Sequence, residues 1–190
     1  MALGTAGFIL YFLYDIDSVK KIHPLMRKFF GAGSLCVTLA TIWELVHALE
    51  EKQCLPVYWI VWSLGCALFL VLLIYTLFFA LPFEETYLRE SGARKAYTGG
   101  IYGLCRHPGV LWFAGLFLCL WGLSGNLGSG KYFLSMILCN YLYIILQDLW
   151  TFPNTFVNYG IYKKSTPFLI PNGKSIKQCL KDMAGKEKNP

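Results

Sequence analysis

Apolar residues gather into five runs along this chain, separated by short polar stretches. The runs cover residues 2–14, 29–48, 55–81, 108–123 and 132–150, with Pro153 just past the last. Nothing between Lys52 and Glu84 is charged. A helix crosses a hydrocarbon core with about 20 apolar residues, so the third run has length to spare for tilt. The first run ends at Asp15 and Asp17 and lacks the basic start and small-residue cleavage site of a signal peptide. The pattern predicts an all-α integral membrane bundle of about five transmembrane helices.

The polar stretches predict the connections. Residues 123–131, LSGNLGSGK, predict a tight turn between antiparallel helices. Residues 83–97 predict an amphipathic connecting helix, with Glu85 and Arg89 paired one turn apart. There is no internal repeat. The expected organisation is a single membrane domain over residues 1–171 and a basic tail over 172–190, a short surface helix fraying at its end.

Composition strengthens the membrane reading: 56% of residues are hydrophobic, 17% aromatic, and mean hydropathy is positive. The seven cysteines are scattered with no C-x-x-C pair, which predicts small apolar thiols, not a zinc site or disulfide framework. Glu44 and His47 share a helix face, but a di-metal bundle site needs two such motifs and the chain has one. No metal and no nucleic-acid partner is expected.

Charge sets orientation. Of the 17 basic residues, 15 lie in three segments, 18–28, 83–107 and the tail from Lys163 on. Five spans put all three segments on one side, which the positive-inside rule makes cytoplasmic. The N-terminus is then outside and the C-terminus inside.

Two stretches carry candidate chemistry. In GIYGLCRHPGVLWF, residues 100–113, Arg106 and His107 precede Pro108 at the start of the fourth run. Proline suits the first turn of a helix, and a helix N-terminus presents free N–H groups. The stretch reads either as an anion-binding corner or as interfacial basic residues reaching for headgroups. In residues 146–172, LQDLWTFPNTFVNYGIYKKSTPFLIPN, Asp148 follows an apolar run, an expensive place for an acid that is neither paired nor used. Tyr159 and Tyr162 share a helix face, and Pro167 and Pro171 bracket an apolar clip. The alternative here is an aromatic belt with a basic interfacial helix. A positive corner facing an acid across a cytoplasmic pocket would suit a zwitterion carrying a carboxylate and an amine or sulfonium.

The first stretch resembles the G-x-Y-x-x-x-R-H-P motif of the isoprenylcysteine carboxyl methyltransferase and phospholipid methyltransferase superfamily, matching at Gly100, Tyr102, Arg106, His107 and Pro108. Asp148, Tyr159, Tyr162 and Pro167 resemble the family's C-terminal pattern. The resemblance covers residues 83–171. It implies an integral membrane enzyme that binds S-adenosylmethionine on the cytoplasmic side. The methyl acceptor would be a lipid, a prenylated carboxylate or a small thiol or amine. Gly100, Tyr102, Arg106, His107 and Pro108 would line the cofactor site, with Asp148 at its amine or sulfonium and Tyr159 and Tyr162 closing over it. Arg106 and Asp148 would be the catalytic pair. The chain departs from the pattern at Val110, Trp112, Leu149, Thr155 and Phe156, positions that bear on substrate choice and retained activity. Sterol and steroid reductases, which bind NADPH, end in a similar half and supply one alternative. A non-catalytic member of the fold is the other.

Overall fold

The computed structural model describes residues 1–49, 56–80 and 94–186. The Glu85–Arg89 pair, Lys52 and Cys54 lie outside the described residues, as does most of the connecting helix expected over 83–97. Its last part is not helical. Residues 94–98 carry no helix, and Ala96 exchanges two hydrogen bonds with the Asn158 side chain, at 2.7 and 3.0 Å.

The described residues are all-α. In chain order the helices are α1 (Ala2–Lys20), α2 (Phe29–Leu49), α3 (Pro56–Ile74), α4 (Ile101–Leu104), α5 (Pro108–Ser124), α6 (Gly130–Leu146), α7 (Phe152–Thr155), α8 (Tyr159–Ser165) and α9 (Gly173–Lys186). Four helical stretches are long and apolar enough to cross a membrane: Ala2–Lys20, Pro24–Ala48, Val57–Phe79 and Leu127–Thr155. The expected fourth span, α5, has 17 residues and rises only about 25 Å, short of a hydrocarbon core of about 30 Å. So the five apolar runs resolve into four long helices and one shorter one.

The described residues group into two compact units, Met1–Leu70 with Phe113–Thr151, and Val71–Trp112 with Phe152–Pro190. In the first unit, α1 and α2 cross closely because Gly7 and Gly33 face each other. A Cβ on either would stand 2.7 Å from the other's carbonyl oxygen. Phe8, Val37, Ala40, Phe117, Tyr132, Phe133, Met136 and Tyr143 form the core. Thr41 and Tyr132 share a hydrogen bond of 2.8 Å inside it, and Tyr11 and Ser34 share one of 3.0 Å. Much of α3 is bare. Leu64 is 66% exposed, and no residue from Val57 to Tyr75 is buried within the protein. So large an apolar surface requires a nonaqueous neighbour, and lipid supplies one.

Two sequence expectations change. The first helix does not stop before Asp15 and Asp17; both acids are buried within α1. It continues because each carboxylate is satisfied, Asp17 by the His23 N–H at 2.8 Å and Asp15 by side chains described below. Pro153 does not end the last long helix either. A π turn at Gln147–Thr151 precedes it, and α7 carries the helix through to Thr155. A proline removes one backbone bond and crowds the preceding turn, and a widened turn accommodates that. A second π turn, Tyr75–Phe79, closes α3. The surface helix expected in the tail forms as the 14-residue α9, which packs against α4. The turn at 123–131 does form: Gly125 takes φ 55°, a left-handed conformation that favours glycine, and Ser124 and Ser129 share a 2.9 Å hydrogen bond.

Candidate functional site

In the second unit, residues far apart in sequence converge on the start of α5. Gly100, at φ 57°, caps α4, and its N–H donates to the Asp182 carboxylate of α9 at 3.3 Å. The Tyr102 hydroxyl donates to the Thr76 carbonyl at 3.0 Å, and the Tyr162 hydroxyl donates to the Tyr102 carbonyl at 2.7 Å. Burial pushes the Tyr162 hydroxyl above the ordinary tyrosine range, with the neighbouring Cys105, Tyr159 and Tyr102 acting in the same direction. It stays a donor at any physiological pH.

Arg106 is 7% exposed. Its Nη1 donates to the carbonyls of Lys163 at 3.0 Å and Thr166 at 2.9 Å, at the end of α8. Its backbone N–H donates to the Pro167 carbonyl at 2.9 Å, and its guanidinium lies 5.5 Å from the centre of the Phe168 ring. A cation at a helix C-terminus satisfies carbonyls that have no partner within the helix. At least part of this guanidinium therefore fastens the α8–Pro167 turn, a role beyond the anion-binding corner read from the sequence. His107 is also buried, stacked on Phe152 at 5.7 Å and edge-on to Phe168 at 5.2 Å. Pro108 is fully buried, and the His107 carbonyl accepts the Val110 N–H at 3.2 Å, starting α5. Tyr159 and Tyr162 are both buried, with ring centres 5.9 Å apart.

The structure thus gathers Gly100, Tyr102, Arg106, His107, Pro108, Tyr159 and Tyr162 in one unit. Asp148 belongs to the other. It is buried in the π turn at Gln147–Thr151. That turn is tied to α1 through Asp15, whose Oδ1 accepts from the Tyr143 hydroxyl at 3.1 Å and whose Oδ2 accepts from the Thr151 hydroxyl at 3.2 Å. Gln147 presents its amide to the same carboxylate.

Sequence reading missed Asp15 and Thr76. Asp15 had a signal: Tyr143, Gln147 and Thr151 repeat every fourth residue along the last long helix and form a polar stripe that needs a partner. Thr76 is one of few polar residues in the third run. It is 1% exposed, and its hydroxyl has no hydrogen-bond partner among the described residues. Of the departures from the family pattern, Val110 is buried and Leu149 is 66% exposed. Glu44 and His47 lie on α2, where the imidazole packs edge-on to Trp43 at 4.5 Å. Among the described residues no cluster of His, Cys, Asp and Glu is suited to hold a metal ion. A cleft of about 320 Å³ in the first unit is lined by Tyr58, Trp62, Trp121 and their neighbours and by none of the candidate site residues.

Among the described residues six cysteines are present and no disulfide joins them. Burial pushes the Cys105 thiol up to about 11. A raised value disfavours the thiolate, the reactive form, until the pH nears 11. We expect Cys105 to resist maleimide at pH 7.5 in the folded protein and to label only on unfolding or above about pH 10. Peptide mapping after labelling reads this out, and rapid modification at neutral pH would contradict it.

The four long apolar helices fit a multi-pass membrane protein. Compared with protein-family models, curated proteins and solved structures, the chain matches none.

Proposed function

We propose that the protein is an integral membrane methyltransferase that uses S-adenosylmethionine and modifies a lipid, prenylated carboxylate or small thiol or amine. The observation that carries this reading is the convergence in one unit of the R-H-P corner with Tyr159 and Tyr162. Two sequence segments that resemble one family's motif, some 60 residues apart, meet through the Tyr162 hydroxyl and the Arg106 guanidinium. In this reading α5 spans as a fifth helix, the N-terminus is outside, and the site opens to the cytoplasm.

One buried donor supports a polar ligand such as this cofactor. The buried Thr76 hydroxyl has no hydrogen-bond partner among the described residues, and a polar ligand atom would supply one. When bound, S-adenosylmethionine supplies an electrophilic methyl on a sulfonium. The chain's part is to bind, orient and exclude water. Phe152 and Phe168 fix the plane of His107, and Tyr102 and Tyr162 hold the backbone of α4. The resemblance gives Asp148 to the positive end of the cofactor, and its contribution is tested separately.

The test is calorimetric titration of the detergent-purified protein with S-adenosylmethionine, its demethylated product and NADPH. Binding of the first two alone is expected. His107→Ala and Asp148→Ala should each weaken it by about tenfold or more, the loss of one charge-assisted contact. NADPH binding alone would replace this reading with a reductase. Silence toward all three would leave the fold without the chemistry. Unchanged affinity in both variants would overturn the site assignment.

A further inference from the structure

The lysine-rich helix α9 carries three different stripes. Ser175, Cys179 and Asp182 face the protein: the first two are buried, and Asp182 accepts the Gly100 N–H at 3.3 Å and the Gln178 amide at 2.8 Å. Ile176 and Leu180, one turn apart, are 43% and 61% exposed. Lys174, Lys177 and Lys181 form the third stripe, all exposed. Over its whole length the helix has four lysines against one acid. That acid, Asp182, is engaged on the protein-facing side.

We propose that α9 is a docking surface for anionic lipid headgroups. A lone exposed Leu needs no explanation, but here two exposed apolar residues form a stripe beside a stripe of lysines. That order, apolar next to cationic along one helix, is the arrangement of a helix lying in the membrane interface. The apolar stripe enters the acyl boundary while the ammonium groups stay at headgroup level. The same chain carries four helices long and apolar enough to cross a membrane, so a bilayer is the fitting partner class. The occupant is set by charge complementarity: lysines without an acidic partner stripe suit phosphatidylglycerol or phosphatidylserine over phosphatidylcholine. The opposite face of the same helix holds Gly100, so this lipid contact is tied to the segment carrying Tyr102 and Arg106. The proposal does not depend on methyl transfer.

The protein, reconstituted in nanodiscs of phosphatidylcholine alone or mixed with phosphatidylglycerol, provides the test. Amide hydrogen exchange over residues 173–186 is expected to slow by about tenfold or more in the anionic discs at low salt, as three lysines near an anionic surface would produce. High salt should erase most of the difference. The variant Lys174→Gln/Lys177→Gln/Lys181→Gln should lose it at low salt. These lysines are exposed, so exchange within α6 serves as a check that the variant is folded. Equal exchange in the two discs would overturn the proposal. So would a slowing that persists in the triple variant, because lysines would then not be its cause.

Discussion

Asp15→Ala is expected to destabilise the first unit by about 3 kcal/mol, more than the combined cost of removing the hydroxyls that it binds. The carboxylate is 3% exposed and accepts from Tyr143 and Thr151 on separate oxygens. Alanine removes the acceptor shared by the Tyr143 and Thr151 hydroxyls and the Gln147 amide at a depth where water is scarce, and each group left unsatisfied costs about 1–3 kcal/mol. Removing a donor is milder. In Tyr143→Phe or Thr151→Val the carboxylate keeps its other partners, and hydrogen bonds between membrane helices average about 0.6 kcal/mol by double-mutant cycles. The asymmetry is the prediction: one large effect from the acceptor and two small ones from the donors. Asp15→Asn should fall between them, since an amide keeps one acceptor and turns a donor toward the second hydroxyl. Unfolding in detergent followed by circular dichroism measures all four. Equal losses from Asp15→Ala and Tyr143→Phe would mean that Asp15 does not organise this contact.

How much of this was legible in the sequence depends on the period of the signal. Long apolar runs need no partner to be recognised, so α2, α3 and α6 fall close to where hydropathy placed them. The extension of α1 through Asp15 and Asp17 was hidden because an acid reads as a stop until its partners are known. Those partners lie at Tyr143 and Thr151, more than 120 residues away. The reach of the last long helix past Pro153 was hidden for another reason. Proline reads as a break, and a π turn that accommodates it leaves no mark in a hydropathy profile. At the candidate site, Arg106 and His107 stood out because charge beside an apolar run is rare. Which way the guanidinium would turn was not legible. Its acceptors are backbone carbonyls at Lys163 and Thr166, and every residue has a carbonyl.

That turn of the guanidinium leads to the other large effect. Arg106→Ala is expected to cost about 3 kcal/mol and to loosen residues 157–170 selectively. The side chain is buried, and two carbonyls at the end of α8 would lose the donor that caps them. Arg106→Lys should recover only part of the loss. A guanidinium sends in-plane N–H groups to both carbonyls while its flat face packs near Phe168, whereas an ammonium is a compact point charge with no face to pack. Limited proteolysis and hydrogen exchange over 157–170 report the loosening, and thermal unfolding reports its size. The comparison with His107→Ala gives the result its meaning. The ring contacts of His107 are with Phe152 and Phe168, both outside α8, so its removal should leave the Arg106 bonds to the end of α8 in place and the turn closed. If Arg106 fastens the turn, its alanine variant loses both order at 157–170 and S-adenosylmethionine binding, while His107→Ala loses binding alone. If Arg106→Ala lost binding with the turn still protected, the guanidinium would be a ligand contact first and a cap second. The order in which these two losses occur separates a residue that touches the cofactor from one that positions those that do.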